Sequence, residues 1–329
     1  MAARKNKLVF VTRQIPEIGL QMLRKKGFLL KVWPKKRKIG REELLKEVKG
    51  ASAILSLLTE KIDEEVLEAA GPNLKIVANY AVGYDNIDLE ACKKRKIWVT
   101  NTPGILTETV AEHTMGLILA VCRHIVEGDR FVRAGRYKQW EPMLFLGTQL
   151  YNKILGIVGL GRIGAYLAQM AFSGFHMRVV YHDVKRNEEF EEMFEARYLS
   201  LNELLKVSDF VSLHVPLLPE TYHLISKPEF KLMKRTAYLI NTSRGPVVDE
   251  KALYQALKDG QIAGAAIDVY EFEPHPVAGL TKLPNIVFTP HIASATIEAR
   301  EMMAKMAAEN IIQALAGRKP RDAVFEMEK

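Results

Sequence analysis

Short apolar runs alternate along the chain with stretches whose apolar positions recur every three or four residues. In the first hundred residues the runs Leu8–Thr12, Leu29–Trp33, Ala53–Leu58, Lys75–Tyr80 and Ile97–Thr100 predict strands. Helical patterns near 17–26, 41–48, 63–70 and 87–95 separate them. Strands that are apolar on both faces, with a helix between each pair, mark a parallel sheet covered on both sides.

A second run of the same rhythm starts at Lys153. Its predicted strands are Ile154–Gly159, Arg178–Tyr181, Phe210–Val215, Ala237–Asn241, Gly264–Tyr270 and Ile286–Thr289. Between the runs lies a helical pattern from about Leu106 to Ala134, too long for an ordinary crossover, and another from about Thr296 to Ala316 follows the last strand. Long helices flanking a domain suit the connections to its neighbour. The pattern predicts two α/β domains, each a doubly wound parallel sheet, the second inserted into the first. The expected boundaries are 1–102 with 292–329 for the discontinuous domain and 103–291 for the inserted one.

Composition narrows the class. At 329 residues and 48% hydrophobic, the chain can bury two ordinary cores and is too apolar to be disordered. Its apolar runs fall short of the roughly 20 residues of a membrane helix, and the N-terminus shows no secretory pattern. Cys92 and Cys122 form no CxxC, which excludes a disulfide framework and a cysteine zinc site. The expected compartment is therefore the cytoplasm. The net charge of +8 is uneven: residues 1–50 hold 15 Lys or Arg against 4 Asp or Glu. Those lysines are scattered among apolar positions without an aromatic ladder, so they read as a solvated face and no nucleic acid is expected. The histidines other than His291 show no paired ligand spacing, and no metal is expected.

The first chemical motif is Ile154-Leu-Gly-Ile-Val-Gly159-Leu160-Gly161-Arg162-Ile163-Gly164, a strand running into GxGxxG and then a helix. Gly159 permits the tight turn, Gly161 the approach of a pyrophosphate, and Gly164 close helix–strand packing; the helix N-terminus then faces the phosphates. Asp183 follows the next strand and suits the adenosine ribose hydroxyls, which favours NAD(H) over NADP(H). Lys185 and Arg186 follow it closely and leave NADP(H) possible. The fold expectation becomes a Rossmann cofactor domain inserted into a flavodoxin-like substrate domain.

Arg244, Glu273 and His291 each fall just beyond the carboxyl end of a late strand of that domain, where open α/β sheets bind ligands. An arginine there offers a bidentate fork to a carboxylate and polarises a neighbouring carbonyl. A histidine can protonate a carbonyl oxygen as hydride reaches the carbon. A carboxylate beside the imidazole favours its charged form.

Taken together these motifs resemble the D-2-hydroxyacid dehydrogenase family, most of all its glyoxylate/hydroxypyruvate reductase branch. The resemblance rests on VGYDNID at 82–88, TNTPG at 100–104, GIVGLGRIG at 156–164, NTSRGPVVDE at 241–250, AGAAIDVYEFEP at 263–274 and TPHIASAT at 289–296. It implies Arg244, Glu273 and His291 as the catalytic set. It implies cofactor contacts from the Gly159–Gly164 loop, Asp183, Val215, Pro216, Thr221, Thr242, Ser243, Arg244, Asp268 and His291, with Asp268 near the nicotinamide amide. Substrate contacts are implied for Leu58, Val82, Gly83, Arg244, His291 and Ser294, and for Trp140 reaching a partner's pocket in a homodimer. The implied substrates are small 2-oxo or 2-hydroxy acids.

Two alternatives share these motifs. Residues 123–142 and Tyr181-His182-Asp183 also resemble phosphite dehydrogenase, but that enzyme carries a lysine before Gly83 where this chain has Val82. A non-catalytic NADH-sensing corepressor of the same fold would keep the motifs; the short tail after the last predicted helix favours the enzyme.

Overall fold

The structure is a computed structural model, described here for residues 7–327. Of these, residues 7–106 and 295–327 form one compact unit, and Thr107–Ser294 forms a second.

The first unit begins β1 (Leu8–Val11), α1 (Glu17–Lys25), β2 (Leu29–Val32), α2 (Arg41–Glu47), β3 (Ala53–Ser56), α3 (Glu64–Ala70), β4 (Ile76–Asn79), α4 (Leu89–Lys94) and β5 (Trp98–Thr100). The five strands pair in parallel in the order β2-β1-β3-β4-β5, the flavodoxin-like arrangement. Every residue of β3 and β4 is buried, which explains their unbroken apolar runs. Aspartates start two of the helices: Asp63 accepts from the Val66 N–H and Asp88 from the Ala91 N–H.

The second unit contains α5 (Thr107–Cys122), α6 (Ile125–Arg133), β6 (Ile154–Val158), α7 (Arg162–Phe175), β7 (Arg178–His182), α8 (Glu188–Phe194), β8 (Arg197–Tyr198), α9 (Leu201–Val207), β9 (Phe210–Leu213), α10 (Lys227–Leu232), β10 (Tyr238–Asn241), α11 (Glu250–Lys258), β11 (Gly264–Ile267) and β12 (Ile286–Phe288). Its sheet runs β12-β11-β10-β9-β6-β7-β8, parallel throughout. This is the doubly wound dinucleotide-binding order with one strand added at the β12 edge, and its switch point lies between β6 and β9. The strand that the six-strand expectation lacked is β8. It has two residues, both exposed, and so carries no apolar run.

The single long helix expected over 106–134 is two helices. His124 between them adopts φ +53°. The break has a cause in the returning chain. Thr148 N–H donates to the Cys122 carbonyl at 2.8 Å, taking the acceptor that helix continuation would need. Gly147 fits there because a Cβ would lie 2.3 Å from the Cys122 carbonyl oxygen.

The last helix, α12 (Ile297–Leu315), belongs to the first unit. Tyr80 donates its hydroxyl to the Arg300 carbonyl at 2.6 Å. At Gly19 of α1 a Cβ would lie 2.5 Å from the Ala304 carbonyl oxygen, so the two helices meet almost backbone to backbone. Beyond α12, Val324 N–H donates to the Val99 carbonyl beside β5. Among the described residues, no helix is long and apolar enough to cross a membrane.

Candidate active site

The glycine loop after β6 fits a dinucleotide. Gly159 has φ +94°, and a Cβ there would lie 2.8 Å from the His214 carbonyl oxygen. At Gly164 a Cβ would lie 2.2 Å from the Gly159 carbonyl oxygen, so only glycine lets α7 start against the strand. Gly161 differs, since a Cβ there would meet nothing within 4 Å. It is the N-cap of α7 and supplies no side-chain cap, and the first turn holds no acidic residue. An open, uncapped helix N-terminus is what a pyrophosphate needs. Leu160, Arg162 and Ile163 lie within this turn.

Asp183 lies just past β7 and accepts from the Leu160 N–H at 2.6 Å, which ties this carboxylate to the glycine loop. Leu160, Asp183, Lys185, Arg186, Asn187 and Glu188 line a cavity of about 490 Å³. Arg186 is engaged within it, donating to both Glu191 oxygens at 2.9 and 2.8 Å. Across the switch point, Thr221 closes the loop after β9: its hydroxyl donates to the Pro216 carbonyl at 2.7 Å, one residue beyond half-buried Val215. The neighbouring His214 is bonded to Ser212 Oγ at 2.8 Å, and burial pushes its imidazole down to about 4, which keeps it neutral beneath the glycine loop.

Arg244 follows β10 in a turn built by Asn241. The Asn241 Oδ1 accepts from the Ser243 N–H and hydroxyl at 3.0 and 2.8 Å, and its amide donates to the Arg244 carbonyl at 2.9 Å. Thr242 contacts Thr114 of α5 through the two hydroxyls at 2.9 Å. Gly245 lets this turn press on the end of the next strand, since a Cβ there would lie 1.8 Å from the Tyr270 carbonyl oxygen. Arg244 is thereby placed beside the segment that carries Glu273.

Glu273 and His291 meet directly. His291 Nδ1 lies 3.0 and 3.1 Å from the two Glu273 oxygens. Burial pushes the Glu273 carboxyl up, but the bond and charge of His291, the Tyr270 N–H and the charge of Arg244 together hold it below the usual carboxylate range. Two buried acids set this pair. Glu250 accepts from the Glu271 and Val277 N–H groups at 2.7 and 2.8 Å, and Glu271 returns a bond to the Glu250 N–H, which clamps both sides of Glu273. Asp268, expected near the nicotinamide amide, is fully buried, and its carboxylate accepts from the Ile292 and Ala293 N–H groups, both at 2.8 Å. The carboxylate thus anchors the loop that carries His291 and half-buried Ser294.

Sequence spacing also missed a cluster in this unit. His223, Asp249 and Glu271 bring ligand-type atoms within 4.8 Å of one another. Each is engaged in the fold: His223 bonds Glu271 at 2.9 Å, while Asp249 caps α11 and accepts from Ser226.

In the first unit the predicted substrate residues lie on loops beyond β3 and β4. Asn79 and Asn101 donate side-chain amides to the Gly83 and Val82 carbonyls at 2.8 and 2.7 Å. The N–H groups of Val82 and Gly83 have no acceptor among the described residues, and successive free N–H groups suit an anionic oxygen. Half-buried Leu58 sits in a turn organised by Glu60, which accepts from the Thr12 and Thr59 hydroxyls and the Leu57 N–H. Trp140 is 75% exposed, in the loop after α6.

Comparison with known proteins adds to this geometry. A family model described as D-isomer specific 2-hydroxyacid dehydrogenase, NAD binding domain, matches residues 115–293. The chain is 52% identical over 318 residues to a glyoxylate reductase of Korarchaeum cryptofilum, covering 96% of this chain and 95% of that one. It is 52% identical over 316 residues to a glyoxylate reductase of Pyrococcus horikoshii, covering 95% and 94%. The crystal structure of the TT0316 protein from Thermus thermophilus superposes with a TM-score of 0.91 at 44% identity, covering 97% of this chain and all of that one.

Proposed function

Because this chain belongs to the D-isomer specific 2-hydroxyacid dehydrogenase family, and so is an NAD-dependent oxidoreductase acting on a CH–OH group, we propose that it reduces short 2-oxo acids, glyoxylate and hydroxypyruvate first, to their 2-hydroxy acids. The observation that carries this reading is the contact between His291 and Glu273 beside Arg244, beyond the carboxyl ends of β10, β11 and β12.

Each residue has a role on this reading. Arg244 binds the substrate carboxylate and polarises the adjoining carbonyl. His291 carries a proton and releases it to the carbonyl oxygen, and Glu273 holds the imidazole in place and balances its charge. NADH, when bound, supplies the hydride that reaches the carbonyl carbon. The glycine loop and the N-terminus of α7 hold its pyrophosphate, and Asp183 takes its ribose hydroxyls. With Arg186 engaged by Glu191, Lys185 is the remaining nearby cation for a 2′-phosphate, so NADH is the preferred partner.

The working unit on this reading is a homodimer. Helix α6 buries none of its residues, and it and the following loop expose Ile125, Val132, Trp140, Met143, Leu146 and Tyr151. An exposed apolar surface of this kind suits a second copy of the chain. Light scattering should give about twice the 37.2 kDa chain mass, and Trp140→Glu with Met143→Glu should halve it.

The activity test is loss of NADH absorbance with glyoxylate, hydroxypyruvate and pyruvate, and gain of it with phosphite and NAD. Turnover of the oxo acids without phosphite oxidation is expected. Inertness toward every oxo acid, with NADH still bound, would instead support a nucleotide-sensing role.

A further inference from the structure

His113, in the first half of α5, takes no part in the chemistry above, yet it lies under the loop that carries His291. Its Nε2 is 3.1 Å from Thr289 Oγ1 and 3.7 Å from Asp268 Oδ1. The Thr289 hydroxyl gives its one proton to Asp268 Oδ1 at 2.6 Å. Toward His113 the Thr289 oxygen can therefore only accept, which assigns a proton to Nε2 of the imidazole. Asp268 in turn accepts from the N–H groups of Ile292 and Ala293. The residue between these anchors is His291, whose own N–H is shared by the Asp268 and Thr289 carbonyls at 2.9 and 3.0 Å. Its φ of +55° is one that non-glycine residues hold only where their surroundings impose it. Tyr270 adds a hydroxyl to the Thr289 carbonyl at 2.7 Å. Residues 289–293 are thus held by Asp268, Thr289 and Tyr270, and this network ends on His113.

We propose that His113 is a positioning residue for His291. Its Nε2–H fixes the Thr289 hydroxyl on Asp268, and through that carboxylate it fixes the turn that aims the His291 imidazole at Glu273. The proposal rests on the reading of His291 as the proton donor. It predicts an effect on the chemical step rather than on binding, because a small displacement of a proton donor costs rate while leaving ligand contacts in place.

The experiment uses the intact protein and two variants, His113→Leu, which removes the donor, and His113→Gln, whose amide can restore it. His113→Leu should lower kcat about tenfold or more, with the glyoxylate KM and the NADH Kd within about twofold of wild type; His113→Gln should recover most of the loss. In ¹⁵N-histidine-labelled protein the His291 ring signals, identified by their absence from His291→Ala, should move in His113→Leu and return in His113→Gln. A folded His113→Leu with unmoved His291 signals, or with kcat within twofold of wild type, overturns the proposal. If His113→Leu does not fold, Thr289→Val against Thr289→Ser is read in the same way. Should the wild type turn over no oxo acid while the His291 signals still move, the catalytic reading fails and the positioning link stands.

Discussion

The His291 imidazole and the Glu273 carboxylate face each other at 3.0 Å across 18 residues of sequence, with both carboxylate oxygens within reach of Nδ1. That leaves Nε2 as the atom that can serve a substrate. Replacing His291 by Ala should lower kcat about 10²–10⁴-fold while NADH still binds, as measured by steady-state rates and by fluorescence titration. A variant keeping more than half of wild-type kcat would sink the assignment.

The acid side of the pH profile follows from Glu273. Its carboxyl is held below the usual carboxylate range, against its own burial, by the bond and charge of His291. A depressed carboxyl contributes its stabilisation above its unfolded pKa and loses it only as the pH falls through the lower folded value. The pair should therefore stay intact at mildly acid pH and fail only in stronger acid. In Glu273→Gln no carboxyl is left to protonate, so the fall in strong acid should disappear from the pH–rate profile. A strong-acid limb unchanged by the substitution would count against the pair.

If, as proposed, one guanidinium both holds the carboxylate and polarises the carbonyl, Arg244→Ala should damage both KM and kcat with glyoxylate. Arg244→Lys should recover only part, because an ammonium cannot reproduce the planar fork. Full recovery by lysine would show that charge alone matters there.

The glycine loop offers a contrast between two alanines. A Cβ at Gly164 would sit 2.2 Å from a backbone oxygen, while one at Gly161 would meet no protein atom within 4 Å. Gly164→Ala should lower the melting temperature clearly. Gly161→Ala should melt like wild type yet bind NADH at least tenfold more weakly, a loss of about 1.4 kcal/mol. Unchanged NADH affinity in Gly161→Ala would move the pyrophosphate away from this helix terminus.

Cofactor choice can be tested at Asp183. Its carboxylate repels a 2′-phosphate and suits free ribose hydroxyls. Asp183→Ser should move the ratio of kcat/KM for NADH over NADPH toward NADPH by about tenfold or more, as about 1.4 kcal/mol is tenfold. The Leu160 N–H also loses its acceptor, so some loss with both cofactors should accompany the shift. A wild type that already prefers NADPH would make Lys185 the dominant reader of this site.

Local pattern alone determined the two doubly wound parallel sheets and the turn after β6, because strand burial, helix periodicity and the GxGxxG spacing are each written within one short stretch of chain. The same is true of which strand ends carry Arg244, Glu273 and His291. Tertiary structure decided the rest. Helix α5 ends at Cys122 because Thr148, far along the chain, takes its carbonyl. Strand β8 exists because β7 offers it an edge, not because Arg197 and Tyr198 demand a strand. The anchors Glu250 and Asp268 carry no periodic signal. Asp268 binds residues 24 and 25 positions onward, and Glu250 residues 21 and 27 onward. Those partners come within reach only when the register pairs Asn241 with Ile267 and Ile267 with Phe288, bringing three strand ends to one level. Hydrogen bonds between groups so far apart in sequence depend on that register, and the register is set by the packing of whole strands.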